Sequence, residues 1–465
     1  MALLVVLAAL VFLMWVAYRG HSVILFAPVA ALGAVLLTEP SLVAPMFTGL
    51  FMDRMVGFLK LYFPVFLLGA VFGKLIEISG FSKSIVAATI GVVGERRAML
   101  SIVLVCALLT YGGVSLFVVV FAVYPFAAEL FRQADIPKRL IPGTIALGAF
   151  TFTMDALPGT PQIQNIIPTT FFGTTGWAAP WLGVGGSLFV LACGLGWLES
   201  RRRHAAAIGE GYGVELRNEP APFTGERLAH PLLALLPLAL VAVANFALTR
   251  SIPRWYGPTQ SFVPAVVGDA KPVVQEVAKV AAIWAVEGAL LLGIACVLAC
   301  AWRPVTRAFT DGSRAAVGGA LLASMNTASE YGFGAVIAAL PGFRSVADAL
   351  QAIPHPLVNE AVSVTALAGI TGSASGGMSI ALAAMADTFK ANAIAAGIPM
   401  EVLHRVAAMA SGGMDTLPHN GAVITLLAVT GLTHRESYRD IFAITLIKTL
   451  AVFAVIGLYV FAGVV

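Results

Sequence analysis

The chain has 465 residues, of which 59% are hydrophobic and only 11% are charged, and its mean hydropathy is +0.91. Soluble domains carry about a quarter charged residues, so this composition excludes an ordinary soluble enzyme. The formal net charge of +4 is small for this length and does not suggest a nucleic-acid partner. Apolar runs of membrane-spanning length recur along the chain. They predict an all-α, multi-pass protein embedded in the lipid bilayer of a bacterial inner membrane.

The predicted elements follow one another in two similar series. Uninterrupted spans are predicted at 2–18, 23–46, 57–78, 177–199, 231–249, 275–301, 314–340 and 438–465. Between them lie helical hairpins at 98–131 and 359–389, broken spans at 138–172 and 402–430, and short pieces at 82–92 and 345–353. Each hairpin arm is short for a full crossing, so we expect both hairpins to be re-entrant.

Landmarks of the first series recur in the second in the same order. They are Gly112-Gly113 and Gly376-Gly377, then Met154-Asp155 and Met414-Asp415, each of the latter followed by Leu-Pro after one residue. The nearly constant offset predicts a duplication. We expect a first repeat at 1–199, a polar cytoplasmic linker at 200–230 and a second repeat at 231–465.

Basic residues set the predicted orientation. With the arginines at 201–203 in the cytoplasm, more Lys and Arg residues fall inside than outside, as the positive-inside rule requires. This layout puts the N-terminus outside, makes the two repeats inverted, and assigns Arg405, at the start of the span predicted at 402–430, to the outside.

Both hairpin tips carry glycine and small polar residues where hydrocarbon is expected. Glycine exposes backbone N–H groups, and the helix that leaves each tip begins with a partial positive charge. The pattern therefore favours a cradle for an anion, although small residues also serve close helix packing. The predicted substrate-binding residues of the tips are Thr110, Gly112, Gly113, Ser115, Ser373, Ser375, Gly376, Gly377 and Ser379.

The two broken spans contain an Asp-x-Leu-Pro motif. Proline frees backbone carbonyls, which can coordinate a cation or accept bonds from nearby polar side chains. Asp155 and Asp415 either take part in proton or Na⁺ coupling, together with Thr425, or cap the half-helix that follows. The predicted substrate contacts in the breaks are Thr160, Gln162, Asn165, His419 and Asn420.

Two further residues within predicted membrane segments can titrate. His419 is the only histidine predicted within a membrane break, and it suits either proton handling or a neutral hydrogen bond. Glu330 lies in the middle of the span 314–340 and is either a proton carrier or a hydrogen-bonded structural residue. Lys448 is explained by snorkelling or by a structural ion pair.

Together, the run Leu157-Pro158-Gly159-Thr160-Pro161-Gln162-Ile163-Gln164-Asn165 and the run from Met414 to Ile424 resemble the gluconate permease (GntP) family, nearer its 3-hydroxybutyrate-permease-like branch. The resemblance implies a member of the ion transporter superfamily: a homodimer whose scaffold and transport parts draw on both repeats and whose transport part moves as an elevator. It also implies uptake of a small organic anion, commonly with protons and in more distant relatives with Na⁺, and no bound cofactor.

Three alternatives to a proton-coupled carboxylate symporter are open at this point. One is a Na⁺-coupled symporter. Another is an intramembrane serine hydrolase, because Ser373-Ala374-Ser375-Gly376 approaches a nucleophile motif and His419 offers a base. A hydrolase, however, has no use for a matching tip in the other repeat. The third is an anion channel, which interrupted helices suit less well than they suit alternating access. We therefore expect a transporter and no enzyme.

Overall fold

The computed structural model describes residues 2–19, 21–94, 97–114, 116–214, 217–220, 228–263, 272–343, 345, 353–418 and 420–465. These residues are mostly helical. Within this described part, five helical segments are long and apolar enough to cross a membrane: Pro40–Ile78, Pro180–Ala207, Pro231–Tyr256, Val277–Cys300 and His434–Ala462. The protein is therefore a multi-pass membrane protein, as its composition predicted.

The N-terminal part contains α1 (Ala2–Tyr18), α2 (Val23–Thr38), a 3₁₀ turn (Pro40–Leu42), α3 (Val43–Met46), a π-helical turn (Phe47–Phe51), α4 (Met52–Ile78) and α5 (Phe81–Val93). The predicted boundaries at 46 and 57 are wrong, because the chain is helical without interruption from Pro40 to Ile78. The break falls at Glu39 instead, where proline follows and disfavours a helical conformation in the residue before it.

The first hairpin and the first broken span comprise α6 (Ala98–Tyr111), α7 (Leu116–Gln133), a 3₁₀ turn (Lys138–Leu140), α8 (Ile141–Ala149), α9 (Phe152–Asp155) and α10 (Ile163–Phe172). They are followed by α11 (Pro180–Ala207). This helix continues beyond the predicted end of its span at 199, because Glu199 pairs with Arg202 and Arg203 one turn further on and extends the helix in polar surroundings.

The second half contains α12 (Pro231–Tyr256), β1 (Thr259–Phe262), β2 (Val273–Glu276), α13 (Val277–Cys300), α14 (Trp302–Ala339), α15 (Pro356–Thr371), α16 (Ala374–Ala395), α17 (Met400–Ser411), α18 (Gly421–Thr430) and α19 (His434–Ala462). The all-α prediction is wrong at one place, where β1 and β2 pair antiparallel with Thr259 opposite Glu276. Helix α14 also begins at Trp302 and not at 314.

The two halves interlock. Helix α4 packs along α14, while α13 lies on α4 and α2 lies on α14. Helix α10 of the first half contacts α16 and α17 of the second, and α7 of the first half contacts α18 of the second. Each broken span is therefore surrounded by helices of the other half.

One predicted placement is wrong in a way that matters for the site. Arg405 was assigned to the outside, but it lies within α17 and is fully buried. Its neighbour His404 is fully buried too.

Candidate functional site

Both broken helices stop inside the protein and resume after an irregular segment. In the first, α9 ends at Asp155, Gly159 adopts a positive φ of 77°, and α10 begins at Ile163. In the second, α17 ends at Ser411 and α18 begins at Gly421. The prolines at 158, 161 and 418 lack the N–H that would continue a helix. Helices α10 and α18 have 10 residues each. They are therefore about 15 Å long, half a bilayer core.

An amide side chain at the start of each half-helix ties it to the tip of a hairpin. The Gln162 Nε2 atom donates to the Thr110 carbonyl at 2.7 Å and to the Val114 carbonyl at 3.3 Å. The Asn420 Nδ2 atom donates to the Gly372 carbonyl at 2.7 Å, while its Oδ1 accepts from the backbone N–H of Val423 at 2.8 Å. Two predicted substrate contacts thus hold equivalent places in the two halves.

The first tip is closely packed. The Tyr111 hydroxyl donates to the Pro158 carbonyl at 2.9 Å, which adds a second link between the tip and the broken helix. Gly112 faces Leu238, and a Cβ there would overlap its side chain. Gly113 has a positive φ of 94°. The buried Thr110 Oγ1 has no hydrogen-bond partner among the described residues. Ser115 lies outside the described residues.

The second tip is capped by its own side chains. The Ser373 Oγ accepts from the Gly376 N–H at 3.1 Å and begins α16. The Ser375 hydroxyl lies 3.2 Å from the Thr327 hydroxyl of α14, so it contacts another hydroxyl and no described base. Gly377 lets the two arms of the hairpin meet, because a Cβ there would overlap the Ala368 backbone. The buried Ser379 Oγ has no partner in the described part of the chain.

Glu330 of α14 reaches the beginning of α16. Its side chain is buried and packs directly on Gly376, where a Cβ would overlap the Oε2 atom. The Oε2 atom has no hydrogen-bond partner among the described residues. The predicted titratable residue and the second hairpin tip are thus brought together.

The two aspartates lie in different surroundings. Asp415 forms a buried ion pair with Lys448, whose Nζ also donates to the Phe150 carbonyl at 3.2 Å. Asp155 packs on Gly412 at the end of α17, so the two breaks meet there. The interpretation of these aspartates as caps is wrong, because the N-cap residues of the half-helices are Gln162 and Asn420, of which Asn420 accepts a hydrogen bond from the Val423 N–H.

Asn165 is saturated by structural hydrogen bonds. Its Nδ2 atom donates to the carbonyls of Thr160 and Gly176, both at 2.9 Å. Its Oδ1 atom lies 3.1 Å from Arg405 Nη1 and 3.3 Å from His404 Nε2. Arg405 donates further to the carbonyls of Asp155 at 3.0 Å and Ala178 at 2.7 Å. Arg405 thus fastens the second half to the first break.

The hydroxyls of two other predicted residues donate hydrogen bonds to nearby backbone carbonyls. Thr160 donates to the Thr153 carbonyl at 2.8 Å, and Thr425 donates to the Gly421 carbonyl within its own helix, also at 2.8 Å. His419 lies outside the described residues.

The buried acid Glu360 was not among the predicted site residues. Glu360, in the first turns of α15, is fully buried, and neither carboxyl oxygen has a hydrogen-bond partner among the described residues. An isolated glutamate within the hairpin at 359–389 was the available signal for it.

Comparison with known proteins places this architecture among transporters. No protein-family model matches the chain. The chain is 59% identical over 474 aligned residues, covering all of both proteins, to the uncharacterized transporter YxjC of Bacillus subtilis (strain 168). Its fold resembles that of the Alcanivorax borkumensis YdaH transporter, whose crystal structure revealed an unusual topology, with a TM-score of 0.52, 13% identity and coverage of 99% and 98% of the two chains. The protein is thus a membrane transporter and no enzyme, and it belongs to the same transporter family as YxjC.

Proposed function

We propose that this transporter imports a small organic anion by proton symport, with alternating access of the elevator type. The observation that carries the proposal is the matched pair of amide links, from Gln162 to the first hairpin tip and from Asn420 to the second. A pore needs a continuous polar path, whereas helices that stop inside the bundle on both sides of a pseudo-symmetric centre suit a carrier.

The short first arm of the first hairpin supports re-entry there, and the order of elements supports a duplication, whereas α16 of the second hairpin is longer, with 22 residues. Helix α6 has 14 residues, or about 21 Å, which is short for a hydrocarbon core of about 30 Å. The order of hairpin, broken helix and long helix is the same in both halves, ending with α11 and α19. We propose inverted repeats at 1–199 and 231–465, with the N-terminus outside and the linker at 200–230 in the cytoplasm of a bacterial cell.

An anionic substrate follows from the charge at the helix ends. The N-termini of α10, α16 and α18 all lie at a break or a tip, and each carries about half a positive charge. The unpartnered hydroxyls of Thr110 and Ser379 are donors that a bound anion satisfies. We therefore propose that the substrate carboxylate binds at the tips.

Proton coupling is favoured over Na⁺ coupling by the use of the backbone carbonyls in the first break. The carbonyls of Asp155, Pro158, Gly159 and Thr160 all accept hydrogen bonds from the side chains of Arg405, Tyr111, Asn245 and Asn165. A Na⁺ site in this break requires such oxygens to be free. Proton coupling requires only a buried acid, and Glu330 and Asp155 are available.

The resemblance to the gluconate permease family supplies the substrate class. We propose a hydroxymonocarboxylate such as 3-hydroxybutyrate, or gluconate, carried by a homodimer in the inner membrane.

Uptake into proteoliposomes tests this function. Radiolabelled 3-hydroxybutyrate and gluconate are offered under an inward proton gradient or an inward Na⁺ gradient, applied separately. We expect accumulation with the proton gradient alone, abolished by a protonophore. Accumulation that requires Na⁺ contradicts proton coupling, and failure of both gradients to concentrate either anion contradicts the proposed substrate class.

A matched variant connects uptake to the amide links. Gln162→Leu removes both hydrogen bonds to the first tip, and we expect uptake to fall about tenfold, since a buried unsatisfied carbonyl costs about 1–3 kcal/mol. Gln133→Leu, at the exposed end of α7, changes the same residue type away from the tip and is the control.

A further inference from the structure

Glu330 occupies the position at the start of α16 where an anion is most favoured. Its carboxyl group touches Gly376, in the first turn of that helix, next to the N-cap residue Ser373. The N–H groups of Ala374 and Ser375 have no acceptor within the helix, because the first residues of any helix lack one. The Glu330 carboxylate is thus the anion supplied by the protein itself to this helix end.

The surroundings of the Glu330 carboxyl group do not fully compensate a negative charge on it. Glu330 is 3% exposed, and Oε2 has no hydrogen-bond partner among the described residues. An ionised carboxylate that is buried without full compensation is costly, so the site favours either a proton on Glu330 or a new donor beside it.

Several charged groups on the helices packed around α14 pair with one another. Lys74 of α4, which packs on Gly312 of α14, pairs with Glu77; Lys390 of α16 pairs with Asp387, and Lys279 of α13 pairs with Glu276. The other titratable groups of these helices are Asp53, Arg54, Lys60 and Tyr62 of α4 and Glu287, Cys296 and Cys300 of α13, while α2 carries none. Of these, Tyr62 bonds Thr170.

Two carboxylates cannot share one helix end while both are ionised, because like charges at short distance shift one of them to the neutral form. Resting on the proposed function, we propose that Glu330 is a tethered competitor of the substrate: the substrate carboxylate binds at the start of α16 only when Glu330 carries a proton. Proton uptake is then a condition of substrate binding, and one proton enters with each monocarboxylate.

This arrangement predicts a definite pH dependence. Only the protonated fraction of the protein binds, so the apparent Kd rises about tenfold per pH unit above the midpoint of Glu330 titration and is constant below it. Glu330→Gln imitates the protonated form, so its Kd is low and independent of pH. The same variant has no proton to carry and loses accumulation driven by a pH gradient, while exchange of labelled for unlabelled anion continues.

The first test measures binding of 3-hydroxybutyrate and of gluconate by calorimetry across a pH series. Wild type is compared with Glu330→Gln and with Glu287→Gln, which neutralises another intramembrane acid outside the site. We expect Glu287→Gln to follow the wild type. A Kd of Glu330→Gln that rises with pH as the wild-type Kd does overturns the proposal.

The second test uses the wild type and does not depend on a variant that folds. Protein in weakly buffered solution with a pH indicator receives each probe at a pH above the midpoint of Glu330 titration, and we expect uptake of one proton per anion bound. Binding without proton uptake overturns the competition but leaves the transport function intact.

If neither probe binds, the result counts against the proposed substrate class. A third measurement then tests the role of Glu330 separately. The infrared difference spectrum of the substrate-free protein between acidic and alkaline buffer then reports whether Glu330 titrates. A carboxyl band present in wild type and Glu287→Gln but missing in Glu330→Gln supports the proposal. Its presence in all three proteins refutes it.

Discussion

The Arg405 guanidinium donates a hydrogen bond to the side-chain oxygen of Asn165, from a residue 240 positions away in the chain. The same guanidinium holds the carbonyls of Asp155 and Ala178, so one buried cation satisfies acceptors on both sides of the first break. A break in a membrane helix requires such a donor, because exposed carbonyls at that depth are costly.

Arg405→Ala is expected to destabilise the protein by several kcal/mol. Each buried acceptor left without a donor costs about 1–3 kcal/mol, and the substitution leaves the carbonyls of Asp155 and Ala178 without theirs. Thermal unfolding in detergent measures the loss. Arg307→Ala, an exposed arginine of α14, is the control and is expected to leave the unfolding temperature unchanged. Equal unfolding temperatures for the two variants contradict the role given to Arg405.

Asp415 and Lys448 are expected to behave as a coupled pair. Either Asp415→Asn or Lys448→Met alone leaves one buried charge without its partner, which costs about 3–5 kcal/mol. The double substitution removes both charges and is expected to cost much less than the sum. Unfolding of all four proteins gives the coupling energy. Glu276→Gln, which breaks an exposed pair with Lys279, provides the comparison and is expected to cost less than about 1 kcal/mol. Additive single effects contradict the pair.

Gly412→Ala is expected to disturb the contact between the two breaks. Its Cβ would overlap the Asp155 carboxylate, and overpacking of this kind costs about 1–3 kcal/mol. Gly421→Ala is the matched control, since a Cβ there meets nothing within 4 Å. Unfolding temperatures and initial uptake rates are measured together. A neutral Gly412→Ala variant shows that the carboxylate moves aside freely and removes the argument for close contact.

The linker side of the protein provides a pH prediction. The hydrogen bond from Arg139 lowers the pKa of Glu210 below its ordinary value. Because the folded-state pKa is depressed, the contribution of this pair is present at neutral pH and is lost as the pH falls through the folded pKa. Glu210→Gln is expected to lower stability by about 0.2–1 kcal/mol at neutral pH, given the partial exposure of the pair. In strong acid the stability of Glu210→Gln is expected to equal that of the wild type. A stability difference that persists in strong acid contradicts the role of the pair with Arg139. Glu39→Gln, at an exposed position, is the control.

The hairpins and breaks were predictable from the sequence because glycine and proline act locally. The hairpin predicted at 98–131 is α6 and α7, and the interruption after Asp155 lies where Pro158 removes a donor. Asp415 supplies the ion-pair partner that a buried Lys448 requires.

The role of Arg405 could not be predicted from local pattern. Its sequence neighbours Glu401 and His404 make the region read as the polar edge of a span, whereas burial depends on acceptors far away in the sequence. The same limit applies to Asn165, whose four hydrogen-bonding contacts come from the other half and from its own loop. Sequence identifies a polar residue in the membrane, but the fold decides whether it faces a substrate or a neighbouring backbone.

The Tyr124 hydroxyl of α7 lies 2.7 Å from the Asn218 carbonyl and 3.4 Å from the Thr430 carbonyl at the end of α18, and the Asn218 amide donates to the Ala428 carbonyl of α18 at 2.9 Å. Asn218 of the linker thus connects α7 of the first hairpin to the C-terminal end of α18. Displacing one helix relative to the other would break the bond from Tyr124 to Thr430 and one of the two bonds to Asn218. The segment that joins the two halves in sequence therefore also joins one helix of each half in space.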